Sequence, residues 1–91
     1  MENIRAKVCV TGRVQGVWFR QSTKNTAEQY GIKGWCCNNL DGSVTAVFEG
    51  EETSVKAVVD WCQRGPDMAQ VDDLQVEWQT PTREFDRFSI R

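Results

Sequence analysis

The stretch IKGWCCNNLDGSVTAVFEG, residues 32–50, decides the architecture. It reads as two strands joined by a tight turn. Asp41-Gly42 is a strong hairpin signal, because glycine tolerates the positive φ that a narrow turn demands. Ile32 to Asn39 forms the first arm, and Asn39-Leu40-Asp41-Gly42 forms the turn. Ser43 to Gly50 forms the second arm. There Val44, Ala46 and Phe48 alternate with Thr45, Val47 and Glu49, the period-two pattern of a strand with one face inward.

Upstream of the hairpin, Arg20 to Tyr30 is polar and lacks a β-branched cluster. Thr23, Ala27 and Tyr30 recur at helical spacing, and Gly31 is suited to end a helix. Further upstream, Ile4, Ala6, Val8 and Val10 alternate with Arg5, Lys7, Cys9 and Thr11, which predicts a strand. Gly12 and Gly16 bracket the loop between that strand and the helix. Downstream, Thr53 or Ser54 can cap a second helix, with Glu51 and Glu52 near its positive end. Val55, Val58, Val59 and Cys62 fall at i, i+3, i+4 and i+7, a core-facing stripe. Gly65-Pro66 ends that helix. Val71 to Gln79 is a strand with Leu74, Val76 and Trp78 alternating; Thr80 to Arg83 is a loop. Phe85 to Ile90 is a short last strand with Phe88 and Ile90 on one face. The order β-α-β-β-α-β plus a short fifth strand predicts an α+β, ferredoxin-like fold, with two helices on one face of an antiparallel sheet.

At 91 residues the chain is expected to form a single domain, residues 1–91, in which most apolar side chains are needed for packing. The formal charge of −2 argues against non-specific nucleic-acid binding, which needs a basic surface. It leaves room for a small anionic substrate held by a few local donors. No apolar segment resembles a signal peptide or is long enough to span a membrane, so the expected compartment is the cytoplasm. Cys9, Cys36, Cys37 and Cys62 are read as reduced thiols. Cys36 and Cys37 are adjacent on a strand and must point to opposite faces. With no histidine and no Cys-x-x-Cys pair, no metal site is expected. Redox sensing is the other reading of the thiols.

The loop from Gly12 to Arg20, GRVQGVWFR, joins a strand to a helix N-terminus, where unpaired amides and the helix dipole favour an anion. Gly16 lets the backbone curl, so that consecutive amides from Gln15 to Phe19 can form a nest for phosphate oxygens. Arg20 can grip a phosphate bidentately. On these grounds alone Arg20 could equally be a solvated helix arginine. Asn38 lies just before the hairpin turn and carries a donor and an acceptor. It could orient a water, or simply complete the turn.

The two runs GRVQGVWFR (12–20) and GWCCNNLDG (34–42) resemble the two signatures of the acylphosphatase family. The first is matched at Gly12, Arg13, Val14, Gln15, Gly16, Val17, Phe19 and Arg20, with Trp18 at the variable position. The second is matched at Gly34, Trp35, Asn38, Asp41 and Gly42. Cys36 stands where the family usually has valine, and Cys37 is a further cysteine; neither change touches the assigned site. FDRFSIR (85–91) also looks like the family's C-terminus, and the resemblance covers essentially the whole chain.

The resemblance implies hydrolysis of acyl phosphates to carboxylate and inorganic phosphate. It implies that the substrate phosphate is bound by Gln15, Gly16, Val17, Trp18, Phe19 and Arg20. Arg20 and Asn38 are the implied catalytic pair, with Asn38 positioning the attacking water. Thr23, one turn after Arg20, is expected to support Arg20 or the loop, with plain helix packing as the alternative. Val17 and Phe19 are expected to plug the core beneath the loop. No cofactor or metal is implied. The expected partner is a small acyl phosphate, with inorganic phosphate or sulfate able to occupy the loop, and the expected state is a monomer that binds neither nucleic acid nor membrane. Two other readings stand beside this one. An RNA-binding module of the same fold would need Trp35 and Trp78 on the open sheet face. A non-catalytic anion-binding or regulatory domain is the second; such domains also begin larger proteins that mature metalloenzymes, whereas this chain looks free-standing.

Overall fold

In the computed structural model, which describes residues 2–91, the central hairpin becomes the middle of a five-stranded sheet. The elements are β1 (Asn3–Arg13), α1 (Phe19–Gln29), β2 (Lys33–Asn38), β3 (Val44–Glu51), α2 (Glu52–Cys62), β4 (Gln70–Gln79) and β5 (Phe88–Ile90). The sheet order is β4-β1-β3-β2-β5. The first four strands in that order pair antiparallel, as expected for this fold. β5 departs from the expectation: it runs parallel to β2, pairing Gly34 with Phe88 and Cys36 with Ile90, so the sheet is mixed.

The inward alternation of β1 holds. Ala6, Val8 and Val10 are buried with Val44, Ala46 and Phe48 of β3 beneath the helices, and Val55, Val58, Val59 and Cys62 of α2 close over them. Phe48 and Phe88 stack with ring centroids 5.7 Å apart, which ties the parallel fifth strand to the core. Gly34, the first residue of the second motif, has a packing role. A Cβ there would lie 1.9 Å from the Val47 carbonyl oxygen, and its φ of 142° lies in the region that favours glycine.

Several local expectations fail for tertiary reasons. Tyr30 lies past the end of α1 and is 48% exposed, so the buried helical stripe is Phe19, Thr23 and Ala27. Neither Thr53 nor Ser54 caps α2. Its cap is Glu51, without a side-chain cap bond, and the Thr53 hydroxyl donates to Glu51 Oε1 at 2.8 Å. The last strand begins at Phe88 rather than Phe85, and Ile90 is 37% exposed. Trp78 pairs with Ala6 and so lies on the helix-covered side, at its margin, leaving Trp35 as the tryptophan of that pair on the open face.

The outward residues of β3 also differ from the pattern. Val47 and Glu49 are both buried, at 1% and 6% exposure. Residues 80–87 connect the two outer strands and cross this end of the open face. Glu49 accepts the backbone N–H groups of Thr82 at 3.0 Å and Arg83 at 2.9 Å. Arg5 donates to Thr82 Oγ1 at 3.0 Å and to Glu84 Oε1 at 2.7 Å, and its guanidinium lies 5.1 Å from the Phe85 ring centre. These contacts hold the Glu84 carboxyl below the usual carboxylate range, first through the Arg5 hydrogen bond. No helix among the described residues is long and apolar enough to cross a membrane.

Candidate active site

The loop between β1 and α1 owes its shape to two left-handed residues. Gly16 has φ 73°, in open space, so the conformation rather than crowding calls for glycine. Trp18 has φ 64° and ψ 19°, where a side chain costs roughly 1–2 kcal/mol. Its carbonyl accepts the first helical bond, from Ser22 N–H at 2.9 Å. Among the described residues, no backbone N–H from Gln15 to Phe19 donates to a protein acceptor. Those of Trp18 and Phe19 belong to the helix start, those of Gln15 to Val17 to the loop before it, and the reversals at Gly16 and Trp18 bend the chain as a nest requires.

Val17 and Phe19 are buried and anchor the loop, as expected; the Phe19 ring packs 5.7 Å from that of Trp61. Between them Trp18 is 75% exposed. Gln15 turns its side chain away from the loop mouth. Its Nε2 donates to the carbonyls of Asn39 at 2.8 Å and Ser43 at 2.9 Å. Gln15 thus bolts the first motif to the hairpin carrying the second, a role that no local pattern announces.

The two neighbouring asparagines divide the work. Asn39 organises the turn: its Nδ2 donates to Ser43 Oγ at 2.9 Å and Thr45 Oγ1 at 2.7 Å, and its N–H donates to the Ser43 carbonyl at 2.8 Å. Asp41 closes the turn by accepting Ser43 Oγ–H at 2.6 Å and Ser43 N–H at 2.9 Å, which holds its carboxyl below the usual range. Asn38 is relieved of structural duty. It is exposed, and its side chain has no hydrogen-bond partner among the described residues.

One concavity of about 360 Å³ brings the key groups together. Val14, Gly16, Trp18, Phe19, Arg20, Gln21, Asn38 and Ile90 line it. Arg20 is half-buried, and its guanidinium has no ion pair among the described residues. Of the residues expected to meet the phosphate, Gly16, Trp18, Phe19 and Arg20 line this space, while Gln15 and Val17 do not. Val14, Gln21 and Ile90 join it unforeseen. Ile90 arrives through its pairing with Cys36, which sequence spacing alone does not foretell.

The ground beneath Arg20 is apolar and tightly bonded. Thr23 is fully buried, and its Oγ1 donates to the Phe19 carbonyl at 2.7 Å. It fastens the first turn of α1 rather than touching the Arg20 side chain. Cys36 Sγ donates to the Arg20 carbonyl at 3.7 Å, and burial pushes its thiol up to about 12, so it stays protonated. All four cysteines are free thiols; Cys36 and Cys62 are buried, while Cys9 and Cys37 are half-buried. Among the described residues, no three His, Cys, Asp or Glu side chains cluster to hold a metal ion.

Comparison with known proteins agrees with this geometry. The acylphosphatase family model matches residues 6–90. The chain belongs to the acylphosphatase family. It is 48% identical to an acylphosphatase of Pelotomaculum thermopropionicum over 90 residues, covering 99% of this chain and 98% of that one. It is 49% identical to one from Roseiflexus sp., covering 99% and 97%. The crystal structure of acylphosphatase from Bacillus subtilis superposes with a TM-score of 0.93 at 32% identity, covering 97% of this chain and 98% of that chain. The family's activity is that of a hydrolase, and the two motifs that suggested it converge on one surface.

Proposed function

We propose that this chain hydrolyses acyl phosphates by position and electrostatics. The amides from Gln15 to Phe19 and the guanidinium of Arg20 hold the phosphate and neutralise charge on its oxygens. Asn38 presents a water to phosphorus, in line with the carboxylate leaving group. The P–O bond to the acyl group breaks as the new P–O bond forms. The water's proton passes to a phosphate oxygen of the substrate, and the products are the carboxylate and inorganic phosphate. A mixed anhydride has a good leaving group, so neither a protein nucleophile nor a metal ion is needed for this route. Thr23 acts at one remove, by fixing the Phe19 carbonyl from which the Arg20 turn begins. The working form is proposed to be a cytoplasmic monomer, which light scattering tests. Inorganic phosphate or sulfate should compete for the loop.

One observation carries the reading. The residues Gly16, Trp18 and Phe19, whose amides are unpaired among the described residues, meet at one concavity with Arg20, which has no ion pair there, and Asn38, whose side chain has no hydrogen bond there. The test is hydrolysis of benzoyl phosphate by the purified protein in the presence of a chelator, beside Arg20→Ala and Asn38→Ala. Full activity in chelator, with both variants folded and largely inactive, supports the assignment. Loss in Arg20→Ala alone would take Asn38 out of the catalytic pair and leave the water to be placed otherwise. A folded but inactive wild type would leave an anion-binding domain.

A further inference from the structure

The polar groups account for the phosphate end of a substrate and leave the other end unexplained. Trp18 and Ile90 line the same concavity as Arg20 and Asn38, and both show substantial surface to solvent. Their settings make this notable. Trp18 sits between two buried neighbours, on a left-handed backbone that carries its indole outward. Ile90 comes from the far end of the sequence, fixed by the pairing of β5 with β2. Beside the candidate phosphate donors, the concavity thus offers an exposed indole and a branched aliphatic chain.

We propose that Trp18 and Ile90 form an acyl-group subsite that selects acyl phosphates with aromatic or bulky apolar acyl groups over acetyl or carbamoyl phosphate. This rests on the phosphate-binding reading of the loop. An indole offers a flat face for an aromatic acyl group, and Ile90 packs against that group's edge. A small acyl group reaches neither surface and gains nothing. Trp18 and Ile90 thereby act on specificity, while the phosphate donors act on every substrate alike.

Calorimetry with two non-hydrolysable analogues, phenacylphosphonate and acetonylphosphonate, tests this without requiring turnover. The wild type should bind the phenacyl compound on the order of tenfold more tightly. In Trp18→Asn that ratio should fall towards one; asparagine accepts the left-handed backbone more readily than tryptophan. Ile90→Ala should lower the ratio by a smaller factor. Reading the ratio separates the subsite from the loop, because a damaged nest weakens both analogues equally. Equal binding of the two analogues by the wild type overturns the subsite and leaves the phosphate reading intact. An unchanged ratio in Trp18→Asn also overturns it. Failure of the wild type to bind either analogue removes the phosphate reading, and the subsite with it.

Discussion

Arg5 on β1 and Arg20 in the first turn of α1 are both half-buried arginines. Arg5 is absorbed by the protein: Thr82, Glu84 and the face of Phe85 take up its guanidinium, and Glu49 lies 3.9 Å away. Arg20 shares its concavity with Gly16, Trp18, Phe19 and Asn38, and it has no ion pair among the described residues. One region spends its polar groups on itself, and the other keeps them for a ligand. The difference lies in the crossover of residues 80–87, which brings acceptors and amides to Arg5 and Glu49 and supplies nothing to Arg20.

The largest contrast should appear on replacing the two arginines' surroundings in turn. Arg20→Ala should lower kcat/KM for benzoyl phosphate on the order of 10³-fold with an unchanged melting curve, and Arg20→Lys should recover only part, since an ammonium cannot bind bidentately. Glu49→Ala should do the reverse. It removes the acceptor of two part-buried N–H groups, so urea unfolding should show a loss of about 1–3 kcal/mol while kcat/KM of the folded enzyme stays put. If Glu49→Ala cripples catalysis in the folded state, the two regions are not separable.

Gln15 tests the join between loop and hairpin. Gln15→Ala removes two side-chain hydrogen bonds, so stability should fall by about 1–2 kcal/mol, and KM should rise because the nest is no longer held against Asn38. A stability loss with normal KM would confine Gln15 to the fold.

The smallest contrast concerns pH. Cys36 has its thiol raised by burial from 9.0 to about 12 in the folded protein. The folded state therefore favours the protonated form. This contribution is complete below the thiol's ordinary range and is lost as pH rises from about 9 towards 12, by up to ~1.4 kcal/mol per pH unit. Cys36→Val keeps the packing and removes the titration, so its alkaline unfolding should begin at higher pH than that of the wild type. Identical alkaline curves would mean that Cys36 does not limit stability there.

Much of this was legible from short-range pattern. The alternation in β1, the stripe on α2 and the Asp41-Gly42 turn each reflect one face meeting one core, and local spacing records that directly. The pairing of Arg20 with Asn38 was legible through the wording of two motifs, which encode a shared site that spacing does not. What stayed hidden depends on distant segments. Glu49 looked solvent-facing because the crossover whose amides it accepts is more than thirty residues away. Trp78 looked free for the open face until the register with Ala6 was fixed. Tyr30 matched the helical spacing but fell beyond the Gly31 break. Asn38 and Asn39 are indistinguishable by type; the bonds from Asn39 to Ser43 and Thr45 decide which one is left idle.

The parallel pairing of β5 with β2 also sets a timetable. The site draws on Val14, Gly16, Trp18 to Gln21, Asn38 and Ile90, so its last wall arrives only with β5. β1 must wait for both β3 and β4, and β2 for β5, which makes most strand neighbours distant in the chain. Chains with such non-local pairing fold more slowly than helical bundles, because long loops close before any contact rewards them. A ribosome-bound chain lacking β5 leaves the Phe88 slot against Phe48 open to water, and the concavity lacks its Ile90 wall until that slot is filled.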